Sequence, residues 1–244
     1  NIIRTLSALN DKRITEIIVV DSNSSDKTVA LVQKINDNRI KLLVYNTPPY
    51  TAAHGRYLGG QKIAASNGYI LFLDGDMEYN NSFTDIAIKY LSEDSTLAGI
   101  LGQRDDYCYL NKQVILIKEN IYNLSKLVVG GGIFLKKSSY CKTPGFIPEL
   151  ICDEEGILYS YIKKNGESLK RIANKMFIHH TEYSLSKKQI LARLTDKKLG
   201  AFGITFFYAL KDKYILMDFI VRNKNLFITG LLLFFLFTTI INCY

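Results

Sequence analysis

The chain has no tryptophan, only three histidines and only four cysteines in 244 residues. Cys108, Cys141, Cys152 and Cys243 form no C-x-x-C pair, and no histidine stands near them in sequence. That argues against a zinc site and fits free thiols in a reducing compartment. No internal repeat or low-complexity tract is present, which excludes a solenoid. No signal peptide is read at the N-terminus. The missing tryptophan does not preclude a core: 48% of the residues are hydrophobic, with 16 Tyr and 13 Phe, enough for one sizeable domain plus an appendage.

Acidic residues are scarce in one stretch. Between Tyr183 and Asn225 there are nine Lys/Arg against three Asp, so this segment carries +6 of the total +8. Charge is then absent from Leu226 to Ile241, sixteen residues that as a helix would span ~24 Å of a ~30 Å hydrocarbon layer. A buried helix is the alternative, but a run apolar all round fits a transmembrane helix. Arg222 and Lys224 precede it, which places the preceding domain on the cytoplasmic side. Ser186 to Asp212 mixes cations with Ile190, Leu191, Leu194, Leu199, Phe202, Phe206 and Phe207. It reads as an amphipathic interfacial stretch on anionic lipid, or else as a helix pair packed on the domain. A membrane partner is expected, and no nucleic acid. The expected organisation is a catalytic domain over 1–182, a basic juxtamembrane segment over 183–225 and a transmembrane helix over 226–244.

Within the first unit the chain is organised around Ile70 to Glu78, ILFLDGDME. The short apolar run predicts a strand buried on both faces. Carboxylates cannot remain unpaired in such a core, so Asp74 and Asp76 belong where the strand emerges. Two acids flanking a glycine can meet a divalent cation and the phosphates it carries, or form an ordinary acidic turn.

The run ending IIVVD predicts a strand that delivers Asp21, followed by SNSSDKT and an amphipathic helix capped by Ser24 or Ser25. A strand over Ile40 to Tyr45, a loop carrying Arg56, a helix over Tyr57 to Asn67 and a helix starting at Ser82 follow. The alternation argues for a mostly parallel sheet with helices on both faces. It begins with a helix, so a first strand is expected to be missing. Further on, Leu97 to Gln103 predicts a strand and Val114 to Leu124 a helix. Cys152 to Asn165 predicts a helix with acids in its first turn and lysines in its last, closed by Gly166. Ser168 to Ala173 and Lys175 to His180 predict two strands, the second ending in His179-His180. Singly each motif has a structural explanation; their order and spacing give them weight.

In that order the chain resembles the family 2 glycosyltransferases of GT-A fold, over roughly Asn1 to His180. VVDSNSSDKT is similar to the family's nucleoside-binding turn, HGRYLGGQKIA to its Arg-containing loop and helix, and LFLDGD to its Asp-x-Asp motif. GGGIFLKKSSY is similar to its glycine-rich acceptor segment, DEEGILYSYIKKNG to its acidic helix, and the paired His to its late metal-binding position. The sequence departs from the family pattern at Ser22, where a second acid is usual, and at Tyr57, Glu154-Glu155 and Tyr161.

The resemblance implies a Rossmann-like mixed α/β sheet and an inverting, metal-dependent glycosyltransferase. It implies donor contacts from Asp21, Ser22, Arg56, Asp74 and Asp76. Mn2+ or Mg2+ would be held by Asp76 and Asp74 with His179 or His180, and acceptor contacts would come from Gly130, Gly131 and Gly132. Glu155 would be the catalytic base, with Glu154 and Asp153 beside it, their repulsion raising at least one pKa. The implied donor is a nucleotide-diphospho sugar and the implied acceptor a lipid-linked or cell-surface glycan. The alternatives are a polyprenyl-phosphate glycosyltransferase or an inactive membrane scaffold that keeps the fold.

Overall fold

The structure is a computed structural model that describes residues 2–64, 68–124, 127, 130–182, 198–225 and 227–229. Helix α1 (Ile2–Ala8) leads into β1 (Ile17–Asp21), α2 (Thr28–Gln33) and β2 (Ile40–Val44). β1 and β2 pair in parallel as a separate two-stranded sheet among the described residues. Helix α3 (Ala52–Gly60) begins after Thr51, whose side chain accepts the His54 amide at 2.9 Å, an ordinary N-cap. The expected helix at Tyr57 thus starts five residues earlier and brings Arg56 onto a rigid element.

The principal sheet is built from β3 (Tyr69–Phe72), β4 (Met77–Tyr79), β5 (Leu97–Leu110), β6 (Gln113–Lys118), β7 (Ile133–Lys136) and β8 (Ser168–Glu182), with α4 (Ser82–Glu93) between β4 and β5. The strand order is β3-β7-β5-β8-β4, and β6 pairs with β5. Among the described residues of this sheet only β5 and β8 run parallel; the other neighbours are antiparallel. The mostly parallel sheet expected from the alternation is therefore a mixed one. A parallel neighbour requires a crossover, and the connection that leads from β5 to β8 carries α6 (Glu154–Lys164), between β7 and β8. A short α5 (Lys137–Tyr140) follows β7.

The both-faces-buried reading of β3 holds. Ile70 and Phe72 enter a core with Leu101, Leu135, Phe146, Ile157 and Ile162. Leu71 and Leu73 pack against a second core on the opposite face, built around Phe83, Ile100, Phe134 and Phe177.

Two readings failed on β geometry. Val114 to Leu124, expected as a helix, begins as β6, because Asn111 and Lys112 take left-handed backbone (φ 50° and 66°) and close a two-residue hairpin turn. Its whole length is exposed. The two strands expected over Ser168 to His180 are one 15-residue strand. Its ladder with β5 slips between Leu101 and Arg104, where β8 advances from Arg171 to Phe177, three residues more than β5 does. The slip, not a chain break, is what Ala173-Asn174 marks.

The described part of the basic segment forms helices α7 (Lys198–Ala209) and α8 (Lys213–Arg222). Ala209, Ile215 and Phe219 are fully buried in the core that contains Ile157 and Ile162 of α6. Each large apolar side chain so buried is worth ~1.5–3 kcal/mol. Apolar packing therefore fastens 198–222 to the catalytic unit, as in the packed helix pair that was the alternative reading. The outer faces stay apolar and open: Phe207 is 69% exposed and Val221 62%. No helix among the described residues is long and apolar enough to cross a membrane. Most of Leu226 to Ile241, like 183–197, lies outside the described residues.

Candidate active site

Four elements meet at one end of the sheet. β1 ends on Asp21, buried, whose carboxylate accepts the Ser24 amide at 2.8 Å and so shapes the turn that follows; Ser22 is exposed. α3 packs against β1 with Gly59 over Val20, a closeness that a side chain would contest. Arg56 is thereby carried to the turn after β3. Its guanidinium meets Asp74 at 2.6 Å, Glu154 at 3.0 Å and Glu155 at 3.1 Å, and lies over the Phe146 ring. Burial disfavours that charge, but the three acids more than compensate, and the Arg56 pKa rises.

Glu154 and Glu155 form the first turn of α6, as expected. Glu155 accepts the Gly131 amide at 3.2 Å. Gly131 has φ +83°, and a Cβ there would strike the Met77 side chain and approach Asp74 Oδ2 to 2.8 Å. Only glycine lets the backbone thread between Asp74 and Glu155. Its neighbours do other work: the Gly130 carbonyl accepts the Tyr122 hydroxyl at 2.8 Å, and Gly132 lies against Phe177. Burial is the main force on Glu155. Arg56 opposes it and Glu154 adds to it, and the carboxyl is pushed up to about 7.

Repulsion within the acidic trio is thus secondary to desolvation, and Asp153 is not part of the cluster. It turns away and binds Arg222 of α8 at 2.6 and 2.7 Å. Burial raises its pKa, with the guanidinium opposing.

On the other side of the Asp74-Gly75-Asp76 turn, β4 pairs with β8 so that Met77 stands opposite His179. The backbone amide of His180 donates to the Asp76 carbonyl at 2.9 Å. His179 Nε2 lies 3.4 Å from Asp76 Oδ2, and its Nδ1 is 2.9 Å from Asp106 Oδ1. The hydrogen bond to Asp76 raises the His179 pKa. Burial works against the Asp76 charge, but the contact with His179 prevails and holds its pKa below the ordinary value.

Because strand side chains alternate, His180 faces the other way, to the Tyr109 hydroxyl (2.9 Å) and Glu78 (3.1 Å). Burial, reinforced by Arg4, lowers its pKa. Of the two histidines only His179 reaches the site. Asp106, absent from the expected set, follows an apolar run in sequence as Asp74 does, but lies inside β5 and not at its end.

Among the described residues no three His, Cys, Asp or Glu side chains are gathered as a ready-made metal cage. The residues present nevertheless fit a divalent cation. Asp76 Oδ1 is buried without a hydrogen-bond partner, and an imidazole nitrogen, oriented by Asp106 on its far side, lies beside the same carboxylate. An oxygen-and-imidazole donor set with such an outer partner suits Mn2+.

An Arg-clamped pair of glutamates thus lies on one side of the Asp74-Gly75-Asp76 turn and an acid-imidazole pair on the other. The model of glycosyl transferase family 2 matches residues 1–143, and the chain belongs to that family. It is a glycosyltransferase. No curated protein matches it. Among solved structures it is similar to TarS 1-349 of S. aureus (TM-score 0.63, 16% identity, 91% of this chain and 67% of that one). It is also similar to mannosyltransferase PcManGT from Pyrobaculum calidifontis in complex with GDP-Man and Mn2+ (0.56, 13%, 96% and 77%). A third is GalNAc-T7 with UDP, GalNAc and Mn2+ (0.58, 16%, 76% and 41%). At these identities the likeness concerns the fold alone, which is of the GT-A kind.

Proposed function

We propose that the chain transfers a sugar, with inversion, from a nucleotide-diphospho sugar to a hydroxyl of a lipid-linked or cell-surface glycan acceptor, at a membrane and with a divalent metal. The observation that carries the reading is Glu155: buried, poised near neutrality at about 7, and held by the Gly131 amide beside the Asp74–Asp76 turn. A base so tuned takes a proton at physiological pH.

Glu155 accepts the acceptor's hydroxyl proton as that oxygen attacks the anomeric carbon. The bond from that carbon to the diphosphate breaks, and the nucleoside diphosphate leaves from the opposite side. One in-line attack inverts configuration. Asp76 and His179 would hold Mn2+ or Mg2+, which when bound supplies positive charge to the leaving diphosphate. Arg56 positions Glu155 and Asp74 and adds a fixed cation beside them. Asp21, at the end of β1, would meet the nucleoside.

Both nucleotide-bearing neighbours of similar fold contain Mn2+, which supports the metal reading. Membrane attachment is supported by the exposed apolar outer face of α7 and α8 (Phe207, Met217, Val221) and by the uncharged run that follows Asn225. It would place the catalytic unit on the cytoplasmic side.

The test uses the full chain in detergent, with release of UDP or GDP from a panel of their sugars, with Mn2+ or Mg2+. Metal-dependent release that falls with Asp76→Asn and with Glu155→Gln supports the reading. No turnover and no binding of any donor would reject it, and full transfer by Glu155→Gln would remove the base.

A further inference from the structure

Helix α8 reaches back to the residue in front of the catalytic pair. Arg222 Nη1 binds both carboxylate oxygens of Asp153, at 2.6 and 2.7 Å. The same guanidinium binds Asp218 Oδ2 at 3.0 Å and Ser160 Oγ at 3.2 Å. Asp153 precedes α6 in a left-handed conformation (φ 56°, ψ 22°) and does not cap its own helix through its side chain. A non-glycine residue holds such a backbone where its surroundings impose it. Here they do so from two directions. Thr205 of α7 donates to the Cys152 carbonyl at 2.9 Å, and Arg222 grips the next side chain.

Gly156 shows how close the fit is. A Cβ at that position would fall on Arg222 Nη1 and on Asp153 Oδ1. Glu154 and Glu155 lie between Asp153 and Gly156, so the turn carrying the base is bounded on both sides by this contact. General adhesion of α8 has other sources: buried Ile215 and Phe219, the Lys163–Asp218 pair and the Lys164–Asp212 pair. The Arg222–Asp153 contact is the one directed at the N-terminus of α6.

We infer that Arg222 is a positioning residue: by holding Asp153 it fixes the first turn of α6 and so the aim of Glu155 at the acceptor hydroxyl. Helix α8 then helps to place the base as well as packing on the catalytic unit. The inference rests on Glu155 as the base. A misplacement of that base by a fraction of an ångström to an ångström costs kcat roughly ten- to a hundredfold.

The experiment compares Arg222→Ala, Asp153→Ala, their double variant, Arg222→Lys, and Lys163→Ala as a control that loosens the same helix pair. Steady-state kinetics and hydrogen exchange are both read on the full chain. Arg222→Ala and Asp153→Ala are expected to lower kcat about equally with donor KM unchanged. The double variant should lose no more than either, and Arg222→Lys should recover part of the loss. Lys163→Ala should lower Tm and leave kcat intact. In exchange, amides of 153–158 should open in Arg222→Ala and stay protected in Lys163→Ala. Equal kcat losses in Arg222→Ala and Lys163→Ala, or losses that multiply in the double variant, overturn the inference. If the wild type transfers no sugar, the functional reading falls by itself. The exchange pattern then decides the brace, and unchanged protection at 153–158 in Arg222→Ala overturns it.

Discussion

The two halves of the site handle the same chemical group in opposite ways. Asp76, half-buried with His179 on one oxygen, keeps its charge below the ordinary carboxylate range. Glu155, almost fully buried against Arg56 and the Gly131 amide, is driven toward its neutral form. One carboxylate is set to stay negative and face a cation; the other is set to take and release a proton near pH 7. Burial pushes both carboxyls up. At Asp76 the contact with His179 outweighs it; at Glu155, buried more deeply and beside Glu154, Arg56 does not.

The sharpest way to break this contrast is Glu155→Gln, which removes the proton acceptor and keeps the shape. It should lower kcat by ~10²–10⁴ with donor binding retained, measured by single-turnover transfer. In the wild type, kcat should rise with pH through about 7 as Glu155 loses its proton. Stability should run the other way. A carboxyl whose folded pKa lies above its unfolded 4.5 contributes fully below 4.5 and loses that contribution as pH climbs through about 7. Thermal melts from pH 4 to 8 should show that decline in the wild type and not in Glu155→Gln.

On the other half, Asp106→Asn leaves Asp76 and His179 in place and weakens the imidazole's outer partner. Mn2+ affinity, read from the metal dependence of donor binding, should fall ~10- to 100-fold. The smallest effect is expected of His180→Phe. It should leave the Mn2+ midpoint unchanged and cost stability of ~0.5–1.5 kcal/mol through the lost hydrogen bond to the Tyr109 hydroxyl, which keeps Arg4 at 3.3 Å, seen in denaturant unfolding. An equal loss of metal affinity from His180→Phe would undo the division of the histidine pair.

Much of this arrangement was legible in the sequence, because acids at the ends of apolar strands have few places to go. Asp21, Asp74 and Asp76 were readable from that rule, and Glu155 from the resemblance of its acidic helix to the family's. What was not legible depended on partners far along the chain. Arg56 looked like a lone loop cation because its three acids lie 18 to 99 residues away. Arg222 looked like one charge of a basic segment because Asp153 is 69 residues distant. Asp153 itself was grouped with its sequence neighbours, but its left-handed backbone turns it away from them. The VILI run of β6 has no period that separates helix from strand; the hairpin signal was Asn111, a residue that tolerates positive φ. The histidine pair could not be split without the strand's facing.

That facing has a source some distance from the site. In the core half of the β5–β8 ladder, Leu101 stands opposite Arg171; past the slip, Asp106 stands opposite His179. Had the core register continued unbroken, Met176 would stand opposite Asp106, and His180 would occupy the face that His179 now holds. The surplus in β8 is an odd number of residues, so the slip works as a phase shifter. It lets the apolar alternation that fills two cores and the polar alternation that builds a site share one strand, each with its own parity.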